Sequence, residues 1–486
     1  MITITIEENT CSLSKNLSIS VFRLLDEQLS FKDSARAYSN FFGHGWDGQI
    51  HLLSEDDLSF PLGLLDRVCD ILKSKEIEYN IINNKIKSEI VSIDIYDRLK
   101  ELKKTPREYQ IEVAAKVFEK TCGIMKLPTG TGKTLTSALM IANLGKKTIY
   151  YVTGTDLLYQ SYDLFKSIFG DNMVGIVGDG LCDFQYITVA SVWTIGCALG
   201  LDKNILLDDE EEQEKLNPEK YAIIKEEIKK ASVHILDECS YVACSTIQTI
   251  YKNICPEFIF GMSASPWRDT GDDLLIESVL GKRIVDMPAK YFIDNGYLVQ
   301  PVIKFLEVPE YHKKLENNYK NVYRWYIAEN KVRNEMILEA AKDLINKNYK
   351  LLILYSSIKH GKILYEMMEN EFPCVLLAGK DKIKVRQEAK KKIENGEVKA
   401  ILASRIFDLG MDCPILSGLI LASGGKSSIR ALQRIGRVIR PYPNKKIAAV
   451  VDFIDNALYV REHSLIRKSI YESEEGFKVL CPKKKD

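Results

Sequence analysis

The stretch LPTGTGKT, residues 127–134, decides how the rest of the chain is interpreted. Gly130 and Gly132 carry no Cβ, so the backbone N–H groups around them can approach phosphate oxygens closely. Lys133 would place a positive charge on the β- and γ-phosphates of a nucleotide, and the Thr134 hydroxyl can hold Mg²⁺. A helical pattern, TSALMIANL, follows. The stretch predicts a phosphate-binding loop, although Leu127 replaces the first glycine of the common pattern. The alternative is a surface loop that carries GTGKT by chance.

Apolar, β-branched runs on both sides of this loop predict two parallel sheets. The first series contains KKTIYYVTG, YITVAS, SVHILDE and EFIFGMSAS, and the second contains LLILYSS, PCVLLAG, KAILAS, LSGLILAS and KIAAVVDF. Residues 1–95 instead mix alternating runs with a helical stretch near Pro61–Ser74, which is typical of a small α+β domain. We therefore predict an α/β chain: an N-terminal α+β domain, residues 1–97, then parallel-sheet domains over residues 98–285 and 286–486. Asp286–Pro309 is expected to connect the two sheets.

The charge is unevenly distributed along the 486 residues, although 67 Lys and Arg balance 67 Asp and Glu. Residues 301–486 hold 35 Lys and Arg against 23 Asp and Glu, a balance of +12, whereas residues 1–100 hold 11 against 16, a balance of −5. The basic part points to an anionic partner, and a solvated lysine-rich surface is the alternative. The charged segment Asp202–Lys230 is expected to be a solvated insertion.

Two further features bound the function. No apolar run approaches the roughly 20 residues that span a membrane, and the N-terminus MITITIEENT does not resemble a signal peptide, so we expect a cytoplasmic protein without membrane contact. The eleven cysteines include no CxxC pair and are expected to be buried free thiols. An iron–sulfur cluster between Cys122, Cys182, Cys197 and Cys239 is the alternative.

VHILDECS, residues 233–240, predicts the second half of a nucleotide site. An apolar strand delivers Asp237 and Glu238 at its end. Asp237 would hold Mg²⁺ through water, and Glu238 would orient and deprotonate the attacking water.

QRIGRVIR, residues 433–440, is the third strong motif. The spacing of Arg434, Arg437 and Arg440 predicts three arginines mostly along one helical face. We expect Arg437 and Arg440 to stabilise transition-state charge at the γ-phosphate. Direct binding of DNA phosphates by this helix is the alternative.

Taken in order, LPTGTGKT, DECS, SAS at 263–265 and QRIGRVIR resemble motifs I, II, III and VI of the superfamily 2 helicases. PREYQ at 106–110 resembles their adenine-reading motif, YVTGTDLLYQ their motif Ia, and SRIFDLGMDCP at 404–414 their motif V. The resemblance covers roughly residues 100–460. It implies two RecA-like domains that use ATP and Mg²⁺.

The resemblance also implies site residues. Those expected at the nucleotide are Arg107, Gln110, Thr129, Gly130, Thr131, Gly132, Lys133, Thr134, Gly410 and Asp412. The expected catalytic residues are Lys133, Asp237, Glu238, Gln433, Arg437 and Arg440, with Thr134 and Asp237 at the metal. The expected nucleic-acid contacts are Trp46, Thr155, Ser191, Ser404 and Arg405.

Within the superfamily, SASPWR, DNGYL and ENKVRNEMI are similar to the branch that contains XPB, RecG-like motors and the phage UvsW helicases. FFGHGWDGQIHLLSEDDLSFPLGLLDRV looks like the N-terminal domain of the phage members. The resemblance implies a DNA-dependent ATPase, in the host cytoplasm if phage-encoded, that moves 3′ to 5′. It would unwind or branch-migrate forks, Holliday junctions and R-loops, and so meet single-stranded DNA, branched duplex and RNA–DNA hybrid in recombination, replication or repair.

Other members of the superfamily give the alternatives: an RNA helicase, or the motor subunit of a restriction-type complex. Ser240 stands where most relatives have His, and Gly154 where Pro is usual. These departures put the coupling between hydrolysis and nucleic acid in doubt, because the two loops act there.

Two stretches allow two interpretations each. Trp46-Asp47-Gly48 would place an aromatic ring on unpaired bases, or form a turn beside a core tryptophan. Residues 311–331, YHKKLENNYKNVYRWYIAENK, interleave aromatic residues with lysines. Tyr319, Tyr323 and Tyr326 would pack as one apolar helical face or face DNA.

Overall fold

The structure is a computed structural model. It describes residues 1–32, 47–85, 88–201, 218–240, 244–265, 273–310, 318–379, 381, 383–404, 413–425 and 428–481. The chain forms two compact units, and the first comprises residues 1–127 and 132–286. The second comprises residues 128–131 and 287–486. The boundary expected between residues 97 and 98 falls inside the first unit, and the predicted domain boundaries stay a prediction.

The N-terminal part of the first unit is built around a small mixed sheet. Its strands, in the order β5-β2-β1-β6, are β1 (Ile2–Glu7), β2 (Thr10–Leu13), β5 (Ser59–Pro61) and β6 (Tyr79–Asn83). Helices α1 (Ile19–Gln28) and α2 (Leu65–Ser74) bury Leu25, Val68 and Leu72 against it. A separate antiparallel pair joins β3 (Ser30–Lys32) and β4 (Gln49–His51). The α+β prediction for this region is confirmed.

The rest of the first unit is organised by an eight-stranded sheet with the order β10-β9-β11-β8-β12-β13-β7-β14. Its strands are β7 (Cys122–Lys126), β8 (Thr148–Val152), β9 (Val174–Gly178), β10 (Leu181–Asp183), β11 (Ile187–Ser191), β12 (Val233–Asp237), β13 (Phe258–Ser263) and β14 (Arg283–Asp286). Every pairing is parallel except β10 with β9. The inner strands are buried throughout, as strands covered on both faces must be.

Helices precede β7 and connect the strands that follow it. They are α3 (Tyr96–Glu101), α4 (Glu108–Ala115), α5 (Lys133–Leu144), α6 (Thr155–Phe169), α7 (Val192–Ala198), α8 (Pro218–Glu227), α9 (Cys244–Lys252) and α10 (Asp273–Leu280). α5 is buried along most of its length. Because β7 leads directly into α5, the phosphate-binding loop lies at the carboxyl edge of the sheet, where parallel sheets bind ligands.

The second unit contains a seven-stranded sheet with the order β17-β18-β16-β19-β20-β15-β21. Its strands are β15 (Gln300–Glu307), β16 (Leu351–Leu354), β17 (Cys374–Leu377), β18 (Ala400–Ala403), β19 (Gly418–Ile420), β20 (Ile447–Ile454) and β21 (Lys478–Leu480). All their pairings are parallel. The predicted fold class of two tandem parallel-sheet domains is therefore confirmed.

The helices of the second unit complete its core. They are α11 (Ala289–Asp294), α12 (Tyr319–Tyr323), α13 (Lys331–Asn346), α14 (Ile358–Met368), α15 (Ile383–Glu394), α16 (Ser428–Val438) and α17 (Val460–Ser473). A π-helix, Arg324–Ala328, continues α12. No helix in the described ranges is long and apolar enough to cross a membrane.

Two sequence expectations are corrected. The expected connector Asp286–Pro309 contains α11 and β15, and β15 pairs with both β20 and β21 inside the second sheet. The expected solvated insertion, Asp202–Lys230, is partly core, because Ile224 and Ile228 are fully buried in the first unit. Residues 202–217 of that insertion lie outside the described residues.

Candidate nucleotide site and motor residues

The phosphate-binding loop has the backbone that its glycines predict. Gly130 and Gly132 adopt φ of 88° and 83°, the left-handed region that side chains disfavour. At Gly132 a Cβ would also lie 2.8 Å from Gln110 Nε2. The Thr131 hydroxyl donates to the Pro128 carbonyl at 2.8 Å, and Leu127 N donates to the Ser263 carbonyl at 3.0 Å. Leu127, the first residue of the loop, is thereby held against the end of β13, and α5 begins at Lys133.

Lys133 and Glu238 form a partly buried ion pair at the carboxyl edge of the first parallel sheet. Their side chains approach to 2.5 Å and are 8% and 15% exposed. Lys133 follows β7 and Glu238 follows β12, with β13 between them in the sheet. Glu238 adopts φ of 49°, which costs a non-glycine residue about 1–3 kcal/mol. The structure thus brings together two predicted catalytic residues that lie 105 positions apart.

Asp237, which precedes Glu238 in the chain, is buried beside this ion pair. Its side chain accepts a hydrogen bond from Glu238 N at 3.0 Å, and it is 5% exposed. Burial raises the pKa of the Asp237 carboxyl, and the charge of Lys133 opposes that rise. Thr134 lies in the first turn of α5 and is half-buried.

Tyr150 is a residue of this region that the sequence did not single out. It lies on β8 opposite Ile235 of β12 and is fully buried. Burial raises the pKa of its phenol, and the charge of Asp237 adds to the rise. Its hydroxyl has no direct hydrogen-bond partner in the described part of the chain. The only sequence signal for Tyr150 was a phenol hydroxyl inside the otherwise apolar strand pattern of KKTIYYVTG.

A hydroxyl network joins the loop after β12 to the end of β13. Ser240 and Ser263 share a hydrogen bond of 2.8 Å between their hydroxyl oxygens, and both side chains are buried. Ser263 Oγ also donates to Glu238 Oε2 at 3.4 Å and accepts from Ser265 N at 3.2 Å. Ser240, which departs from the family pattern, is therefore connected through Ser263 to Glu238.

Gln110 links α4 to the phosphate-binding loop. Its Oε1 accepts from Arg107 N at 2.9 Å, and its Nε2 donates to the Gly132 carbonyl at 3.3 Å. Gln110 is buried, whereas Arg107 is half-buried. Both residues expected to read adenine thus lie beside the loop, one of them bonded directly to it.

These residues fit a nucleotide and a hydrated Mg²⁺. The first N–H groups of any helix lack acceptors within the helix, so the start of α5 favours an anion. The buried Thr129 hydroxyl has no hydrogen-bond partner among the described residues, which leaves it available to a ligand. The Asp237 carboxylate supplies an oxygen of the kind that Mg²⁺ prefers. No three His, Cys, Asp or Glu side chains group as a metal site anywhere in the described ranges.

In the second unit, α16 carries Gln433, Arg434 and Arg437 but not Arg440. The helix ends at Val438, so the predicted single helical face of three arginines is wrong. Arg434 is 8% exposed, and its Nη1 donates to Ser423 Oγ at 3.1 Å. Gln433 is buried, and Arg437 and Arg440 are half-buried.

The expected nucleic-acid residues occupy different settings. Ser191 is 8% exposed and caps α7 by accepting from Thr194 N at 3.4 Å. Thr155 is half-buried in the first turn of α6, and Ser404 follows β18. Their contacts with nucleic acid stay predictions. Trp46, Arg405, Gly410 and Asp412 lie outside the described residues.

Two family models match the chain in tandem. The res subunit of type III restriction enzymes matches residues 103–268, and the helicase conserved C-terminal domain matches residues 334–442. Such helicase domains use ATP. The first match covers most of the eight-stranded sheet, and the second covers α13 to the end of α16.

Individual proteins agree with these matches. The ATP-dependent DNA helicase UvsW of Enterobacteria phage T4 is 27% identical over 463 residues, which cover 90% of this chain and 88% of UvsW. The DNA 3′-5′ translocase XPB2 of Sulfurisphaera tokodaii is 23% identical over 375 residues, 69% of this chain and 78% of XPB2. The structure of S. cerevisiae Dbp5 bound to RNA and ADP BeF3 has a TM-score of 0.53 and 13% identity, and covers 79% of this chain and 92% of Dbp5, which shows a shared fold. Motif order, tandem sheets and similarity together show that the chain belongs to the superfamily 2 helicases and resembles UvsW.

Proposed function

We propose that the chain is an ATP-dependent DNA translocase that moves 3′ to 5′ and unwinds or branch-migrates branched DNA. The Lys133–Glu238 pair is the observation that carries the catalytic part of this proposal. A lysine on the phosphate-binding loop after β7 and a carboxylate at the end of β12, two strands away, meet at 2.5 Å, where the γ-phosphate and the attacking water would lie.

Each residue has a proposed task. Lys133 binds the β- and γ-phosphates, and the glycines around it let backbone N–H groups join. Thr134 and Asp237 hold Mg²⁺, Asp237 through water. When bound, the metal neutralises charge on the phosphates. Glu238 orients a water molecule and accepts its proton.

The remaining proposed roles rest on the motif resemblance. Arg107 and Gln110 read the adenine, and Thr129 and Thr131 flank the phosphates. Gln433, Arg437 and Arg440 act at the γ-phosphate, where cationic side chains stabilise the charge that develops during transfer. Gly410 and Asp412 would contribute from motif V.

DNA is the proposed substrate for two reasons. UvsW is named an ATP-dependent DNA helicase and XPB2 a DNA 3′-5′ translocase, and both align over more than two thirds of this chain. The +12 balance of residues 301–486 suits a polyanion. Branched substrates are proposed because the N-terminal domain resembles that of the phage members.

Two other functions have specific support. Dbp5 shares the fold and was bound to RNA, which favours an RNA helicase. The family model over residues 103–268 is that of a restriction-enzyme subunit, which favours a motor that works beside a nuclease.

The ATPase rate separates these functions. We would compare rates without nucleic acid and with single-stranded DNA, plain duplex, forked DNA and single-stranded RNA, using Lys133→Ala as the control for contaminating ATPases. We expect DNA to stimulate hydrolysis, forked DNA most strongly. Stronger stimulation by RNA would favour the RNA helicase, and stimulation by plain duplex without preference for forks would favour the restriction-type motor.

A further inference from the structure

An aromatic cluster lies in the second unit, on two segments that belong to none of the nucleotide motifs. Tyr319 and Tyr323 come from α12, and Tyr459 and His463 come from the start of α17. The Tyr319 ring centroid is 6.2 Å from that of Tyr323, 6.3 Å from that of Tyr459 and 5.5 Å from that of His463. Two segments separated by about 140 positions thus meet around one ring.

The outer members of this cluster are exposed. Tyr319 is 41% exposed and Tyr459 is 38% exposed. The three neighbouring rings meet Tyr319 at 48–76°, which is tilted or edge geometry and not parallel stacking. Tyr326, by contrast, packs with Tyr323 on a buried apolar cluster of Val322, Ile327 and Val460. The packing interpretation of residues 311–331 therefore accounts for Tyr323 and Tyr326, but not for the exposure of Tyr319.

Tyr459 is held in a strained backbone conformation. Its φ is 65° and its ψ is −48°, and Val460 N donates to the Leu458 carbonyl at 2.8 Å across it. This is a γ-turn with positive φ, a rare and strained form. Residues that persist in such conformations cluster at ligand clamps and active sites.

The base of the cluster is hydrogen-bonded to the loop after β19. The Tyr323 hydroxyl donates to the Ser423 carbonyl at 2.7 Å, which ties α12 to the loop after β19. Burial raises the pKa of the Tyr323 phenol, in keeping with a structural role. The π-helix Arg324–Ala328 follows directly, and π-helical turns are frequent at functional sites.

The cluster lies at the ligand-binding edge of its sheet. Tyr459 follows the carboxyl end of β20, and Ser404 follows the carboxyl end of β18. The order β18-β16-β19-β20 places these ends three strands apart, about 14 Å at a strand spacing of about 4.8 Å. A strand of nucleic acid along this edge could reach both positions.

The charge beside the rings suits a polyanion. Lys320 and Arg461 are exposed neighbours of Tyr319 and Tyr459, and they outnumber the one exposed carboxylate beside them, Glu462. The nearby carboxylate of Glu329 is neutralised by Arg324 at 2.7 Å and Lys359 at 2.6 Å. Partly exposed aromatic rings with neighbouring cations are what proteins use to bind single strands, because every base presents a π-face.

We propose that the ring of Tyr319 is a platform on which an unpaired nucleobase stacks, and that the Tyr459 ring, which meets it at 76°, supports it from the side. The proposal rests on the proposed function only in requiring that the ligand is a nucleic-acid strand. The platform reads the base as a flat surface, so it tolerates any sequence. Tyr323 and the apolar cluster beneath it are positioning residues.

Binding to two strands that differ only in their bases tests the platform. A labelled 20-nucleotide oligothymidylate, and a labelled strand of the same length with abasic central positions, would each be titrated with protein. Binding would be measured by fluorescence anisotropy. The proteins would be the full chain, the double variant Tyr319→Leu/Tyr459→Leu and the control Tyr442→Leu. Tyr442 is an exposed tyrosine between α16 and β20, at the opposite, amino edge of the same sheet.

We expect the double variant to bind oligothymidylate about ten-fold more weakly, which is the effect of losing a stacked base. Its affinity for the abasic strand should stay that of the parent chain, and Tyr442→Leu should change neither affinity. Equal weakening on both strands, or no weakening on oligothymidylate, would overturn the platform. If the parent chain bound neither strand, the proposed function would fail as well, so the two failures are distinguishable.

Discussion

At the scale of single residues, Lys133 and Glu238 depend on each other for charge neutralisation. Each side chain is the neutralising partner of the other in a partly buried setting. Removing either one leaves an uncompensated charge, which is costly where water is scarce. The two residues nevertheless have different proposed tasks, and substitutions should separate them.

Lys133→Ala should weaken ATP binding, because the charge on the β- and γ-phosphates is lost. Glu238→Gln should keep binding and slow hydrolysis by about 10²–10⁴-fold, because an amide cannot accept the proton of the attacking water. Equilibrium binding of a fluorescent ATP analogue and steady-state phosphate release measure the two effects. Wild-type hydrolysis by Glu238→Gln would show that the carboxylate does not activate water.

Ser240 and Ser265 offer a matched pair of buried hydroxyls near this site. Ser240 shares its hydrogen bond with Ser263, whereas the Ser265 hydroxyl has no partner among the described residues. Ser240→Ala should lower the free energy of unfolding by about 1 kcal/mol, because a buried hydrogen bond is lost. Ser265→Ala should be neutral or stabilising, because an unsatisfied buried group is removed. Denaturant unfolding of both variants measures these free energies. Equal free energies of unfolding for the two variants would show that the Ser240 hydrogen bond contributes nothing.

At the scale of elements, local pattern predicted most of the strands. Apolar β-branched runs such as KKTIYYVTG and SVHILDE became β8 and β12, as expected. β15 was missed because QPVIKFLE alternates between buried and exposed positions and carries Pro301, so it lacks the continuous apolar run of its neighbours. Alternation at period two was the signal that could have found it.

Two other features of the elements were missed. The helical spacing of QRIGRVIR suggested that the helix continued to Arg440, yet α16 ends at Val438, two residues before Arg440 and three before Pro441. Pro441 disfavours helix at the residue before it, so it was the local signal that Arg440 lies outside the helix. Tyr150 was missed for another reason: its nearness to Asp237 depends on β8 pairing with β12, which local pattern does not specify.

His234 on β12 gives an element-scale prediction about pH. The buried neutral ring accepts from the Tyr151 hydroxyl at 2.8 Å and donates to the Ala231 carbonyl at 3.2 Å. Burial lowers the pKa of His234 to about 4, from 6.5 for a free histidine. Between pH 6.5 and about 4 the histidine is protonated in the unfolded chain but neutral in the folded one. The free energy of unfolding is therefore unaffected by this group above pH 6.5. It falls as pH drops towards 4, by at most about 1.4 kcal/mol per pH unit.

Urea unfolding at pH 7.5, 6.0 and 5.0 measures this dependence. The variant His234→Phe cannot titrate, so its stability should fall less steeply over the same range, whatever its absolute stability. Parallel pH dependence of the parent chain and the variant would mean that His234 does not contribute.

At the scale of the whole molecule, the N-terminal sheet is part of the first unit and not a loosely tethered domain. Arg67 binds Glu277 of α10 through two hydrogen bonds of 2.9 and 2.5 Å. The Tyr251 hydroxyl donates to the Asn9 carbonyl at 3.0 Å, and Asn9 Nδ2 donates back to the Tyr251 carbonyl. At Gly63 a Cβ would lie 2.3 Å from the Glu277 carbonyl oxygen. These partners lie more than 200 positions apart, so no local pattern could reveal them.

Deletion of residues 1–97 should therefore lower the thermal midpoint of the first unit, because it uncovers Tyr251 and the partly buried Leu274. The predicted catalytic motifs all lie beyond residue 105, so basal ATPase should persist below that midpoint. If the N-terminal domain recognises branches, the preference for forked DNA over duplex should drop. Thermal melting and substrate-specific ATPase rates of the truncated chain measure both effects. An equally stable truncation with undiminished fork preference would contradict the packing and the recognition alike.

ATP-driven strand separation tests the central claim most directly. A labelled DNA fork with a 3′ single-stranded tail and its 5′-tailed counterpart would be incubated with the full chain and ATP, with Glu238→Gln and a non-hydrolysable ATP analogue as controls. We predict that the full chain separates the 3′-tailed fork faster than the 5′-tailed one, and that both controls leave the strands annealed. The account would be contradicted if the full chain separated neither fork. It would also be contradicted if strand separation were as fast with the non-hydrolysable analogue as with ATP.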